Sequence, residues 1–311
     1  METIGDVLRE RHDEMNKRGI LVANGSWQSK KVDELMEWIV RAASKEGIKL
    51  TRVNNDELLV MIEGGVGSVE PSALIEVDFV LFWDKDLLLA KQFENMGIRV
   101  YNSSEAIEVC DNKMKTHQAL AEAGIPMPTT IFAPFIYNNM VRKNFEYLDR
   151  VIAKLGFPLV VKEAYGSFGQ QVALMENRED LETWILKVGG RLHLYQQYIR
   201  ESHGEDLRIN VVGGKVVAAM KRSSKTDFRA NITLGGRMES YQPSEEEADL
   251  AIGAAARLGL DFAGVDLLQT QAGSVVCEVN SNVHFITLAA CTGIDTAAHV
   301  MRWIKSGERI S

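Results

Sequence analysis

Gly264-Val-Asp-Leu-Leu-Gln269 and Val275-Val-Cys-Glu-Val-Asn280 are two apolar strand signatures separated by a short polar turn. Their reading decides what kind of molecule this is. Glu278 and Asn280 are two residues apart, so on a strand they share a face. Folding the pair about Gln271–Ser274 places Asp266 opposite Glu278 or its neighbour. Three oxygen donors then converge on one side of a hairpin. The bland alternative is a pair of edge carboxylates facing water. A carboxylate inside an apolar strand is costly to bury without a cation or hydrogen bonds. Few, hard oxygen ligands suit magnesium, which keeps waters and takes phosphate oxygens for the rest of its shell.

Upstream, residues 160–172 read VVKEAYGSFGQQV. Lys162 lies on a strand, and the glycine loop from Gly166 to Gly169 follows it. Glycines let a backbone approach phosphates and turn N–H groups toward them, and the lysine supplies a point charge. A plain hairpin with a loose loop is the competing reading. No GK[ST] follows at a helix start, so this is not a Walker loop. A third cluster, KRSSKTDFRAN, spans Lys221–Asn231 and concentrates Lys221, Arg222, Lys225 and Arg229 in an otherwise acidic chain. Such runs are usually solvated loops. Beside a phosphate loop and a metal hairpin, this one reads as charge neutralisation for a transferring phosphoryl group.

Further out, residues 20–102 alternate between strand and helix patterns. Ile20–Asn24, Ile48–Val53, Val77–Trp83 and Ile98–Tyr101 read as strands. A helix capped by Ser29 carries Val32, Leu35, Met36, Ile39 and Val40 and stops at Gly47. A second ends at Gly97. This alternation predicts a parallel sheet with covering helices. Helices are also predicted at Asp111–Gly124 and Phe145–Leu155. Strands are predicted at Leu159–Glu163, Val172–Met175, Leu194–Ile199, Arg208–Val212 and Val216–Arg222. Gly213–Gly214 reads as a two-residue turn. The capping box Ser244–Glu247 opens a helix that stops at Gly259, and a last helix starts near Asp295. The expected organisation is an open α/β lobe followed by a mixed α+β half.

Bulk properties narrow the partners. The chain has 311 residues, a net charge of −8, 46% hydrophobic and 25% charged residues. A general nucleic-acid binder usually carries a basic face, so that class loses weight and no nucleic-acid partner is expected. Cys110, Cys277 and Cys291 are odd in number and lack CxxC spacing, which points to reduced thiols. The first residues lack an apolar signal core, and no run approaches the ~20 apolar residues of a membrane span. A cytoplasmic location without membrane partners is expected. Glu63–Ser68 (EGGVGS) lacks a dinucleotide fingerprint and reads as a turn. The six histidines show no ligand spacing, though His284 follows the hairpin closely enough to face its site. No GxSxG or Cys–His signature supports covalent catalysis.

The ordered set Asp111-Asn112-Lys113, GIPMPTT, GFPLVVKEAYGSFGQQV, YQQYIRESHGEDLRINVVGGKVVAAMKR, DFRANITLGG, AGVDLL and CEVNSN resembles the RimK-like branch of the ATP-grasp superfamily. The resemblance runs from about residue 105 to the end, and more loosely over the N-terminal part. It implies an α/β and α+β protein of ATP-grasp fold. An open α/β pre-grasp lobe (1–105) would precede two α+β lobes that clamp ATP, one with the glycine loop (106–195) and one with the metal hairpin (196–311). Lys113 and Lys162 would contact the nucleotide. Gly166, Ser167, Phe168 and Gly169 would cover its phosphates. Gln197, Tyr198 and Ile199 would line adenine, and Asp206 would hold the ribose. Arg229 and Asn231 would sit near the terminal phosphate. Asp266, Glu278 and Asn280 would ligate magnesium (or manganese), with two ions expected.

The implied activity is a carboxylate–amine ligase acting through an acyl phosphate, with Lys162, Arg229 and Arg222 stabilising the transition state. Arg208 is expected to pair with a substrate carboxylate. Glutamate is the family-level amine, and a homodimer or homotetramer the family-level assembly. The acceptor could be a small molecule, a peptide or a protein. A small-molecule kinase and a non-catalytic nucleotide-binding protein are the rival readings. Two departures stand out: Gln197 replaces a frequent glutamate, and EVNSNVHFITLAACTGID lacks the Pro-Gly turn that often follows EVN.

Overall fold

The structure is a computed structural model and describes residues 17–27, 29–137, 140, 144–166, 169–230 and 236–308. The chain opens with β1 (Arg18–Ala23), α1 (Lys30–Lys45) and β2 (Lys49–Asn54). The Ser29 side chain accepts from the Val32 N–H and starts α1, whose buried face is Val32, Leu35, Met36, Ile39, Ala42 and Ala43. That spacing is one apolar stripe of a 3.6-residue helix. A hairpin, β3 (Leu59–Glu63) and β4 (Val66–Glu70), follows, with Gly64–Gly65 as its turn. Then come β5 (Phe79–Phe82), α2 (Leu87–Asn95) and β6 (Arg99–Tyr101). All four residues of β5 are buried, as a parallel strand covered on both faces requires. The sheet runs β2-β1-β5-β6, all parallel. Strand order therefore reverses between β1 and β5.

Next come α3 (Ser104–Asp111) and α4 (Lys113–Glu122). The helix predicted at Asp111–Gly124 is α4, with its start and cap shifted to Asn112; α3 was not predicted. Asn112 adopts an extended backbone and accepts from the N–H groups of Met114 and Lys115, so its side chain breaks one helix and caps the next. Asp111 is not the cap; it closes α3 and pairs with Lys85. A second sheet follows, built from β7 (Thr130–Phe132), α5 (Tyr147–Leu155), β8 (Leu159–Glu163), β9 (Val172–Met175), α6 (Arg178–Val188) and β10 (His193–Gln197). Its order is β7-β10-β8-β9, all antiparallel.

The remainder holds β11 (Glu205–Val212), β12 (Lys215–Ser223), β13 (Arg237–Ser240), α7 (Glu245–Arg257), β14 (Phe262–Thr270), β15 (Gly273–Asn280), α8 (Ile286–Thr292) and α9 (Thr296–Ser306). The sheet order is β13-β12-β11-β14-β15. Gly213 and Gly214, with φ of 56° and 70°, make the tight turn between β11 and β12. The predicted capping box is present: Ser244 and Glu247 satisfy each other's backbone N–H groups at the start of α7. α7 buries Ala251, Ala254 and Ala255 against one face of this sheet, which leaves the opposite face for chemistry. Helices α3, α6 and α8, and strands β3, β4, β7 and β13, were not predicted.

The first sheet and the end of the chain share one core, in which Leu35, Ile39 and Phe79 pack with Phe262, Phe285 and Met301. Asn102, fully buried, stitches the two together. Its amide donates to the carbonyls of Phe262 (2.9 Å) and Ser281 (3.1 Å), and its oxygen accepts from the Phe262 N–H. This fixes the loop after β15 and the start of β14 against the C-terminal end of β6.

Candidate active site

A row of charges crosses the uncovered face of the last sheet. Register places Asp206 opposite Arg222, Arg208 opposite Asp266, and Asp266 opposite Glu278. The hairpin geometry predicted for Asp266 and Glu278 is therefore present. A bulge inserts Cys277, because Leu267 pairs with Val276 while Asp266 pairs with Glu278. The row is knitted by ion pairs. Arg222 donates to both oxygens of Asp206 at 2.6 Å and reaches Asp266 Oδ2 at 3.0 Å. Arg208 holds Asp266 through Nε and, at 2.7 Å, through Nη2. Two arginines and two aspartates alternate, so this stretch is electrically neutral. Burial alone would raise the Asp266 carboxyl, but Arg208 and Arg222 outweigh it and hold the group below the usual carboxylate range. At Asp206, burial prevails over Arg222, and with Asp266 adjacent the carboxyl lies raised.

Above this row lies a cavity of about 680 Å³, a normal size for a small-molecule site. Lys162 enters from β8, buried, with Nζ 3.5 Å from both the carbonyl oxygen and Sγ of Cys277. Lys113 stands at the first position of α4. Its backbone N–H donates to the Ala164 carbonyl, and its Nζ lies 3.1 Å from the Gly166 carbonyl and 3.4 Å from Glu278 Oε1. Gly166 (φ 145°) and Gly169 (φ 70°) hold backbone conformations that favour glycine. Arg229 grips the same loop by donating to the carbonyls of Gly169 and Val172 (3.2 Å), while Asp227 accepts from its guanidinium. Gln197, Tyr198 and Ile199 line the cavity where β10 ends, and the Gln197 N–H is bound to the Thr129 carbonyl. Ser167, Phe168 and Asn231 lie outside the described residues.

Two of the expected site residues are already paired with each other's neighbours. Arg208 lines the cavity and holds Asp266 through Nε and Nη2. Both Asp206 oxygens are taken by Arg222, so its claim on a ribose has to be shared with that pair. Arg222 in turn sits between two carboxylates.

The donor set fits a divalent cation carried by phosphates. Among the described residues no three His, Cys, Asp or Glu side chains surround one point. An ion here gains two carboxylates and an amide, and completes its shell elsewhere, as magnesium does. Glu278 is partly open to the cavity, and Asn280 lines it; a cation would take the Asn280 Oδ1, while its Nδ2, without a partner among the described residues, is a donor left for an anionic oxygen. Lys113, Lys162 and Arg229 around the glycine loop supply the charge a polyphosphate needs.

Sequence reasoning missed the contribution of the first sheet. Asn24, Trp27, Trp83, Asp84 and Lys85, in the segments after β1 and β5, line the cavity together with Asn282 and His284. The signal was available: ILVAN and VLFWD each end a buried parallel strand on a polar residue, at the edge where open α/β sheets bind ligands.

A family model described as the RimK-like ATP-grasp domain matches residues 110–304. N-acetylaspartylglutamate synthase A of Homo sapiens is 33% identical over 288 residues, covering 88% of this chain and 72% of that protein. Beta-citrylglutamate synthase B of Danio rerio is 38% identical over 227 residues, covering 72% of this chain; the match spans 54% of that relative's length. Among solved structures, a RimK domain ATP-grasp protein from Sphaerobacter thermophilus superposes with a TM-score of 0.69 at 22% identity, over 92% of this chain and 98% of that one. The charge row, the lysine pair and the glycine loop thus stand on the fold that this likeness describes: the chain belongs to the RimK-like ATP-grasp family.

Proposed function

We propose that this protein is an ATP-dependent carboxylate–amine ligase. The observation that carries the reading is the convergence of Lys113, Lys162 and Glu278 in the one cavity that Asp266 and Asn280 also line. A carboxylate oxygen of the acid substrate attacks the terminal phosphorus of ATP, and the bond to ADP breaks. The amine nitrogen then attacks the acyl carbon, the carbon–oxygen bond to phosphate breaks, and the amine proton leaves to solvent. Lys162 and Lys113 bind the phosphate chain, and Arg229 holds the glycine loop over it, excluding the water that would hydrolyse an acyl phosphate. Asp266, Glu278 and Asn280 would hold magnesium, which supplies charge neutralisation at the transferring phosphoryl group. No side-chain nucleophile is required, and burial raises the Cys277 thiol above its ordinary range, which keeps it protonated.

Glutamate is the amine we assign, because the names of the two synthases above share a glutamate unit. The test is ADP release with Mg-ATP, glutamate and a panel of acids, with products identified by mass. An amide product that requires glutamate supports the reading. A stable phosphorylated product without an amide would replace it with a kinase.

A further inference from the structure

Residues 63–68, EGGVGS, do not line the cavity, and the hairpin they turn presents a free edge. Among the described residues β3 pairs with β4 alone, in a two-stranded sheet. β3 reads Leu59-Val-Met-Ile-Glu63, and all five residues are exposed. Leu59 is 64% exposed and Ile62 79%, and Val66 across the turn is 69% exposed. An open apolar edge strand is a template for another chain, and proteins usually blunt it with lysine, proline, a bulge or a cover. β3 carries neither lysine nor proline, and its register with β4 runs without a bulge. The hairpin is also firmly held. Val69 of β4 is buried in one core with Leu58, Leu89 and Phe93, and the Gln92 side chain of α2 fills the space beside Gly67.

The turn fixes which backbone groups face outward. Gly64 and Gly65, with φ of 58° and 81°, make a two-residue turn, so Glu63 and Val66 form a hydrogen-bonded pair. Such pairs alternate along an antiparallel ladder. Met61 and Leu59 therefore direct their N–H and C=O groups to β4, opposite Ser68 and Glu70. Val60 and Ile62 direct theirs to the free edge. A second β3, running antiparallel about a two-fold axis at Met61, meets them in register. Val60 exchanges both bonds with the partner's Ile62, and Ile62 does so with the partner's Val60. Met61 then faces the partner's Met61, and Leu59 faces the partner's Glu63. This register pairs all five residues and keeps the two Glu63 carboxylates apart. Sliding the strands toward the turn drives those carboxylates together and leaves Leu59 unpaired.

We propose that β3 is the self-association edge of this protein, and that two copies join through it into one continuous sheet of order β4-β3-β3-β4. The symmetry is that of an isologous dimer. A second copy is the occupant because the edge is complementary to itself in hydrogen bonds, in apolar side chains and in the placing of its one charge. The contact is small, so association in the micromolar range is expected. The proposal does not depend on the ligase reading, since no residue of β3 lines the cavity.

The test is sedimentation velocity of the full chain across the micromolar range. The mass should move from one chain toward two as concentration rises. Met61→Lys sets two ammonium groups against each other at the two-fold axis and should weaken association about tenfold or more. Ile62→Pro removes an outward N–H and leaves the β3–β4 bonds in place, so it should weaken association similarly. Both variants should keep the parent's circular dichroism and its affinity for Mg-ATP. Under mild oxidation Met61→Cys should give a disulfide-linked dimer, because facing residues of a non-hydrogen-bonded pair lie closest. Leu59→Cys, opposite the partner's Glu63, should give none beyond the parent's background. A parent chain that stays monomeric throughout, a dimer undiminished in either variant, or equal cross-linking from the two cysteine positions overturns the assignment.

Discussion

Asp266 and Glu278 face each other across one hairpin but answer to different cations: Arg208 and Arg222 hold the first, while Lys113 Nζ lies 3.4 Å from the second. Asp266 is thereby held within the sheet by two arginines, whereas Glu278 is not; on the proposed ligase reading, Asp266 has a structural as well as a chemical role and Glu278 a chemical one.

Removing them should separate those roles. Glu278→Ala is expected to cut ADP release at least ~100-fold, the scale of losing a supporting metal contact, with unfolding free energy within about 1 kcal/mol of the parent. Asp266→Ala should abolish activity and also destabilise by about 3–5 kcal/mol, because it leaves two buried arginines short of a counter-charge. Urea denaturation of both variants decides it. Equal stability in the two would contradict the ion-pair row.

Arg229 ties the glycine loop to the body of the site through the Gly169 and Val172 carbonyls. Arg229→Ala should lower kcat about 100-fold, on the scale of losing one preorganised donor. It should also let more acyl phosphate escape to water, read as ADP formed in excess of amide. A strict one-to-one ratio in the variant would argue that Arg229 does not control closure.

His117 gives a pH dependence. Its Nδ1 lies 2.7 Å from the Lys113 carbonyl, and Gln196 Nε2 lies 2.9 Å from its Nε2. A neutral ring that donates at Nδ1 and accepts at Nε2 satisfies both. Burial, helped by the charge of Lys162, pushes its pKa down from 6.5 to about 4. The folded state thus binds this proton more weakly than the unfolded state does. The stabilisation is full above pH 6.5 and declines as pH falls toward 4, by on the order of 3 kcal/mol in all. Denaturation midpoints across that range should show the decline. His117→Gln should flatten it even where it lowers stability overall.

Cys277 sits on the bulge, with Sγ 3.5 Å from Lys162 Nζ. A maleimide should inactivate the protein slowly, since the thiol is held protonated, and Mg-ATP should protect. Cys277→Ser should remain active and lose the sensitivity. Continued inactivation of that variant would place the reactive thiol elsewhere.

What the sequence disclosed and what it hid have separable physical causes. The hairpin was legible because Asp266, Glu278 and Asn280 are polar residues in apolar strands, and period-two geometry gives them a common face. The α1 stripe and the box at Ser244 were legible because helix periodicity and capping are local. Local rules placed the cap of α4 one residue early, at Asp111 in place of Asn112, and gave no sign of α3 before it. They failed again at Arg208 and Arg222, which look like free cations in a one-dimensional reading. Their partners lie 58 and 16 residues away along the chain and become neighbours only through strand register. The contribution of Asn24, Trp27 and Asp84 was hidden for a similar reason: it needs the first sheet to be docked on the last, which Asn102 accomplishes.

The alternation of Arg208, Asp266, Arg222 and Asp206 has a consequence for the order of assembly. A row already balanced in charge gives a free divalent ion little electrostatic reason to enter, since the ion would have to draw Asp266 away from two guanidinium groups without compensation. An ion that arrives already chelated by a polyphosphate brings its own anions for those arginines and for Lys113. We therefore propose that metal and nucleotide enter as one unit, so that occupancy follows the concentration of the chelate and not that of the free ion.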